Sequence, residues 1–532
     1  MTSRIPIILA FFAFIAAAAT LNGPGPVWDE PFTLHASEVY VDWLFHPDLS
    51  KASIDGAWSV NHEHPPLAKV WPGLVRHAVQ AAYPGTHDVF ASRLASAILF
   101  GVLVGMVAAF AARAGAAAGL AAGLFAFFMP RLFSDAHFAT LDLPVAAAWF
   151  ATAFAFAKGI HSRRWAVAAG VLFGAALLTK INAVIIPLPL VAWAIIFHRR
   201  KAIVPSLLLL AIGPALLIAG WPWLWHSTLP RLGAYLFGTT LDRFIVPVYY
   251  LGTVYAARYA PWHYPFVLTL FTIPAGVLLC LGVGLWRSML AAATSLQAEG
   301  FTKNTASRRS TLSTSSTPSI LPAEGHEYLV LAALNLAAIL GVSALPFAPK
   351  YDGVRLFMPL FPFAACVAGA GFQRLWDRLP ATRLRTAAAG VFIALQSTGL
   401  VLYHPYETSY YNLLCGGLPG AARLGLETTY WCDAYSDPVF DLVNSLPAGT
   451  RVALYPVGEA MDAFYRVEGY VQDKIRIVDF RKEEYDYAVL MNREGMLLQD
   501  EKARRLFHEN PERRILTVKR LGTTLSVIKR RD

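Results

Sequence analysis

Eleven mostly apolar stretches recur along this chain, at 5–21, 90–112, 114–133, 143–157, 165–178, 183–197, 203–221, 265–286, 329–347, 356–372 and 386–403. Hydrocarbon about 30 Å thick is crossed by about 20 apolar residues in a helix. A 532-residue chain that is 56% hydrophobic and 15% charged, with a mean hydropathy of +0.46, has too little polar surface to be covered by water. The expectation is a polytopic α-helical membrane protein of about eleven transmembrane helices.

Basic residues set the orientation, because Lys and Arg in short loops stay on the cytoplasmic side. Arg4, Arg113, 158–164, 198–201, 287–327 and 374–385 fall between alternate pairs of apolar stretches and define that side. The opposite side receives 22–89, 134–142, 222–264, 348–355 and everything after Tyr403. Arg4, an apolar run and Ala16 to Ala19 have the order of a signal peptide, but the length of the run favours an uncleaved helix, and either reading leaves Asp29 outside. The formal net charge of +10 is accounted for by the cytoplasmic loops, so nucleic acid is discarded as a partner. Four cysteines are too few for a disulfide framework. Cys280 and Cys366 fall within apolar stretches, whereas Cys415 and Cys432 fall outside, where an oxidising compartment permits a bridge without requiring one.

The first external loop, 22–89, carries two amphipathic stretches. Residues 31–46 place Phe32, Val39, Trp43 and Leu44 toward one side, and 65–83 open on Pro65-Pro66, suited to a first helical turn. Such Trp-bearing helices are expected to lie in the membrane interface. A basic, Ser/Thr-rich stretch at 302–322, within the cytoplasmic segment 288–326, reads as a linker. After Tyr403 charges return, and strand-like stretches at 451–455, 474–479, 487–491 and 515–528 alternate with helix-like ones at 439–445, 459–465 and 501–508. Residues 404–532 are therefore expected to form a small extracytoplasmic α/β domain, with no phosphate-binding loop or metal-ligand cluster of its own.

Ionisable residues at the mouth of membrane helices are functional candidates. Asp29 and Glu30 follow the first apolar stretch; for an isolated pair a solvated role is the ordinary one, but Asn61-His62-Glu63-His64-Pro65-Pro66 follows thirty residues on. Its imidazoles suit phosphate or hydroxyl contacts better than zinc, whose known spacings they do not match, although a divalent cation would be admitted. The loop 134–142 adds Asp135, His137 and Asp142 after Arg131, and one of the two acids is expected to cap the next helix. Lys180, Arg243, Arg258, Lys350 and Arg355 gather on the same external side. Each alone is read as a snorkelling cation; together they suit an anionic lipid phosphate.

Asp29-Glu30, His64-Pro65-Pro66-Leu67, Leu141-Asp142, Thr179-Lys180 and Arg355-Leu356-Phe357-Met358-Pro359, in this order and topology, resemble the GT-C class of membrane glycosyltransferases. The likeness is to glycosyltransferase family 39, the protein O-mannosyltransferases, and the related aminoarabinose transferases of bacteria. It covers the membrane part, 1–403, and implies a sugar donor carried on a polyprenyl phosphate and a lipid, glycan or protein acceptor. Asp29 would be the catalytic base, with Glu30 and Asp142 as its companion acids. Lys180, Lys350 and Arg355 would steady the departing phosphate, with Glu63, His64, Asp135, His137 and Arg258 completing the substrate-binding set. A single displacement would invert the anomeric centre. No cofactor is required. The place implied is a bacterial inner membrane with the centre facing the periplasm. The large β-trefoil of eukaryotic relatives has no room in these loops, so the acceptor is not inherited.

A transporter or lipid flippase is the rival reading. Transporters place charges near the bilayer midplane and repeat their halves, whereas here the charges crowd one face and no repeat is found. Eleven helices also exceed what anchoring a C-terminal binding domain requires.

Overall fold

The computed structural model describes residues 4–238, 246–304, 323–346, 348–380 and 382–531. Arg243 and the linker stretch 305–322 lie outside the described residues.

Every apolar stretch falls on helix: Ile5–Ala18, Asp88–Ala111, Ala116–Phe127, Asp142–Gly159, Arg163–Leu177, Pro187–Phe197, Ile203–Ala219, the pair Tyr264–Thr272 and Ala275–Asn304, Ala323–Ala344, Leu360–Arg378 and Arg383–Tyr403. Among the described residues four helices are long and apolar enough to cross a membrane unaided, or five if the bent pair makes one span. That pair breaks by 119° at Ile273-Pro274, because proline disfavours helical backbone in the residue before it. Outward faces are apolar where lipid is the solvent: Leu207 and Leu210 on Ile203–Ala219, and Val391, Leu395 and Val401 on Arg383–Tyr403, are exposed. Asp142 and Lys158 stand at opposite ends of one helix, about 24 Å apart at 1.5 Å per residue, which separates the acidic end from the basic one.

The loop 22–89 folds as helices Glu30–Phe45, Lys51–Trp58 and Leu67–Ala82. Its buried face differs from the sequence expectation. Leu34, Tyr40, Val41 and Trp43 are buried, whereas Phe32 and Leu44 are 60% and 42% exposed. The inner face packs on Trp58, whose ring stacks on Tyr40 at 4.5 Å, so protein rather than lipid claims it.

After the hairpin β1 (Pro247–Tyr250) and β2 (Thr253–Ala256), the remaining strands form one mixed sheet: β3 (Arg451–Tyr455), β4 (Arg476–Val478), β5 (Tyr487–Met491), β6 (Arg514–Arg520) and β7 (Thr523–Arg530). Their spatial order is β4-β3-β5-β7-β6, with β3 parallel to both neighbours and β7 antiparallel to both of its own. Two-residue periodicity sorts β3: Val452 and Leu454 join the main apolar core shared with the helices, while Ala453 and Tyr455 face a smaller core under Phe480 and Phe507. The stretch 515–528 is two strands, turned at Leu521-Gly522, where both residues have positive φ. The expected helix at 459–465 begins as a single-turn 3-10 segment, Gly458–Met461, and becomes α-helical at Asp462–Val467. Cys415 and Cys432 are separate buried thiols.

Candidate active site

The segment leaving the first helix lies along residues 431–435. The Gly25 N–H donates to the Asp433 carbonyl at 3.0 Å and the Trp28 N–H to the Trp431 carbonyl at 3.1 Å. A Cβ at Gly25 would stand 1.8 Å from the Tyr435 carbonyl oxygen, so only glycine permits this approach. The segment is also pinned through Glu30, which is fully buried. Its carboxylate accepts from Arg93 Nε at 2.7 Å and Nη2 at 2.8 Å, and from the N–H groups of Val27 and Ala139 at 3.0 and 3.1 Å. Arg93 then donates to the carbonyls of Leu21, Pro24 and Gly25. A buried charge with every oxygen satisfied holds a loop in place. Glu30 therefore points away from the cavity and orients its neighbour Asp29.

Arg355 is the hub of the site. Its Nη2 donates to Asp29, its Nε to Asp142 at 2.8 Å and its Nη1 to Asp352 at 3.2 Å. Lys180 pairs with the other oxygen of Asp142. Asp352 accepts in addition from Arg493 Nη2 at 2.6 Å and from the Trp431 indole at 3.1 Å. The guanidinium of Arg355 also lies 4.5 Å from the Trp431 ring centroid, a cation–π geometry. A tight turn aims these groups: Asp352 and Gly353 have φ of +54° and +67°. Trp431 and Cys432 are likewise left-handed, at +59° and +72°. Non-glycine residues there carry strain of about 1–3 kcal/mol each, which persists where the surroundings over-determine it.

Asp29, Asp352 and Arg355 line a cavity of about 630 Å³, walled also by Trp28, His62, Glu63, Trp223, Tyr235 and Tyr351. Its volume is that of a site for a small ligand. The Asp29 side chain is 26% exposed, toward this space. Burial pushes its carboxyl above the usual range, against the lowering pull of Arg355, while Asp352 and Asp142 push it further up. Burial would raise Asp352 too, but Arg493 and Arg355 outweigh it and hold Asp352 below its ordinary value. Asp135 is buried behind the cluster and lifted well above the carboxylate range by burial and then by Asp142. Among the described residues no group of three His, Cys, Asp or Glu side chains is arranged to hold a metal ion.

Other expected residues stand apart from the cavity wall. Asp142 caps no helix end with its side chain, and neither does Asp135, the last residue of Pro130–Asp135: the ion cluster takes Asp142 instead. His137 Nδ1 donates to the Phe133 carbonyl at 2.9 Å and Nε2 lies 2.8 Å from Thr20 Oγ1, tying together the turns that follow Ile5–Ala18 and Pro130–Asp135. Lys350 donates to the Leu345 and Ala348 carbonyls beyond the end of Ala323–Ala344. Arg258 sits in the turn Ala257–Tyr259 and does not line the cavity. His64 is buried with Nε2 3.9 Å from the Glu63 carboxylate. His62, one of the two imidazoles noted in the sequence, lines the cavity and stacks on Trp223 at 4.7 Å, whereas Asp352, Arg493 and Trp431 are site residues that sequence reasoning did not single out. Only Asp352, in Lys350-Tyr351-Asp352-Gly353, had a local signal: an acid in a glycine turn three residues before the hub arginine.

Beneath the cavity loop, fully buried Lys69 donates to the carbonyls of Asn61 and His64. Burial pushes its ammonium down to about 7, against the raising pull of Glu63, from 10.5 in an open chain. Between pH 7 and about 10.5 the unfolded chain therefore binds more protons than the folded one, and stability rises with pH; below pH 7 this gain is absent. Lys69→Met should flatten the rise in melting temperature between pH 7 and 10 in detergent. Equal slopes in the two proteins would show that this amine does not titrate in the window.

The apolar helices, the helices of 30–82 that follow the first of them and the acid–arginine cluster make up the fold of a membrane protein similar to the GT-C glycosyltransferases. More particularly, it resembles the protein-mannosyltransferase and ArnT branch of that class. Residues 84–226 match the family model described as dolichyl-phosphate-mannose-protein mannosyltransferase, a span that contains Arg93, Asp135, Asp142 and Lys180. ArnT from Cupriavidus metallidurans in the apo state shares the fold at a TM-score of 0.52 and 14% identity, over 98% of this chain and 97% of that one. The same enzyme bound to undecaprenyl phosphate aligns over the same shares at 0.48 and 14%. The archaeal oligosaccharyltransferase AglB from Archaeoglobus fulgidus, in complex with an inhibitory peptide and a dolichol-phosphate, aligns at 0.46 and 12%, over 92% of this chain and 69% of that one. No curated protein matches the chain.

Proposed function

We propose that this protein transfers a sugar from a polyprenyl-phosphate donor to an acceptor hydroxyl, with Asp29 as general base and inversion at the anomeric carbon. The observation that carries the reading is a carboxylate at the wall of a cavity, fixed by an arginine that is itself fixed by two further carboxylates. Asp29 takes the acceptor O–H proton as the oxygen bonds to the anomeric carbon; the carbon–oxygen bond to phosphate breaks and its electron pair leaves with the polyprenyl phosphate. Arg355 is the Lys or Arg of the cavity wall among the described residues, so the phosphate is expected at its guanidinium. Trp28 and Trp223 give the cavity wall aromatic surface for a sugar to lie against. Lys180 serves one step back, by neutralising Asp142.

The reading is supported by the family match and by the binding of undecaprenyl phosphate by ArnT. The basic loops favour eleven spans with the cavity on the periplasmic side of a bacterial inner membrane. The test is transfer of radiolabelled sugar from a panel of synthetic polyprenyl-phosphate sugars by the purified protein in lipid, with and without chelator. Turnover of one donor, with an inverted product by NMR, is the expected result, and loss with chelator would add a metal. A panel with no turnover would sink the reading and direct attention to lipid translocation.

A further inference from the structure

Arg493 comes from the far end of the chain, two residues beyond β5, yet it is 1% exposed and bonded to Asp352 at 2.6 Å. Its position is engineered by its own region. The Glu427 carboxylate accepts from the N–H groups of Glu494 and Gly495 at 2.7 and 3.0 Å, and Thr429 Oγ1 donates to the Asn492 carbonyl at 2.8 Å. The guanidinium then lies 4.9 Å from the ring of Trp28, the residue before Asp29. Its Nε and Nη1 have no hydrogen-bond partner among the described residues. A guanidinium kept only to glue two parts of a protein together is normally saturated with partners. This one makes a single strong bond, to Asp352, one of the three carboxylates that grip the hub arginine.

We propose that Arg493 is a positioning residue of the active site: by neutralising Asp352 from behind, it leaves the charge of Arg355 to Asp29 and to the substrate phosphate. The C-terminal sheet is thereby part of the catalytic centre. Asp352 holds charges on both sides, Arg493 on Oδ1 and Arg355 on Oδ2. Without Arg493 its full charge falls on Arg355, and Arg355 shields Asp29 less. The groups that face Asp29 are Arg355 and Asp352 from the turn at 352–355, Asp142 from the start of Asp142–Gly159, and His62, Glu63, Tyr235 and Tyr351 on the cavity wall.

The inference rests on Asp29 as base, but its test does not need sugar transfer. A hydrophobic carbodiimide labels protonated carboxyls, so the pH midpoint of Asp29 labelling, read by peptide mass spectrometry on the full-length protein in lipid, reports when that group ionises. Arg493→Met should raise the midpoint by about one pH unit, the size of effect an uncompensated neighbouring charge produces. Arg493→Lys should stay near wild type, Asp352→Asn should lower the midpoint, and Asp352→Asn/Arg493→Met should match Asp352→Asn. An unmoved midpoint in a folded Arg493→Met protein overturns the proposal. So does a double variant displaced from Asp352→Asn by as much as the single variant is from wild type, since Arg493 would then act directly. If Arg493→Met does not fold, the comparison of Asp352→Asn with the double variant decides alone. Where transfer is measurable, its acid limb should move with the labelling midpoint. Labelling shifts as expected in a protein that uses no donor would leave the positioning role standing and remove the glycosyl-transfer reading.

Discussion

Asp29→Asn should lower sugar transfer by about 10²- to 10⁴-fold, the usual contribution of a positioned general base, while leaving the protein folded and able to bind undecaprenyl phosphate. Asparagine preserves the shape of the side chain, and Arg355 retains Asp142 and Asp352. The sign of the binding change is a sharper test than its size. Removing a negative charge from the Arg355 guanidinium frees positive potential for an anionic headgroup, so affinity for the lipid phosphate should hold or rise as transfer collapses. The pH profile should change as well. Asp29 must be ionised to accept a proton, and burial lifts it above the ordinary carboxylate range, so wild-type transfer should fail as pH drops through that raised value. The residual activity of Asp29→Asn should lack this acid limb. Full activity in the variant, or an equal loss of transfer and lipid binding, would remove Asp29 as base.

Much of this was legible in the sequence, because membrane helices and charge placement are local signals. The apolar stretches lie on helices, and Asp29, Asp142, Lys180 and Arg355, each at the mouth of a helix, meet in one cluster. What adjacent residues do was not legible. Asp29 and Glu30 differ by one step, about 100° around a helix axis, and only the buried position of Arg93, sixty-three residues on, decides which carboxylate is structural. Lys350 carried the same outward sign as Arg355, but it folds back on the segment beyond a helix end and donates to the Leu345 and Ala348 carbonyls there. Arg493 lies 141 residues from Asp352, two residues beyond β5, whose apolar run predicts burial of the strand and says nothing of the residues after it. A contact of that separation is a product of tertiary folding, which no periodicity encodes.

Arg355→Met should be the most damaging single change in the cluster, for stability as well as function. Arg355 neutralises parts of three carboxylates at once, and its removal leaves Asp142 to Lys180, Asp352 to Arg493 and Asp29 without an ion-pair partner among the described residues. Deleting one partner of a buried ion pair costs about 3–5 kcal/mol, because the other charge stays buried without compensation. The melting temperature in detergent should therefore fall by several degrees, and undecaprenyl phosphate should lose its cationic contact. Arg355→Lys should recover part of the stability and little of the function, since one ammonium cannot direct three N–H groups at Asp29, Asp142 and Asp352 together. The decisive variant is Arg355→Met combined with Asp29→Asn. If uncompensated charge is the source of the loss, the added substitution should restore stability although it deletes a further acid; were the double variant less stable than Arg355→Met, the cluster would be held by packing around the guanidinium and Trp431 rather than by charge balance.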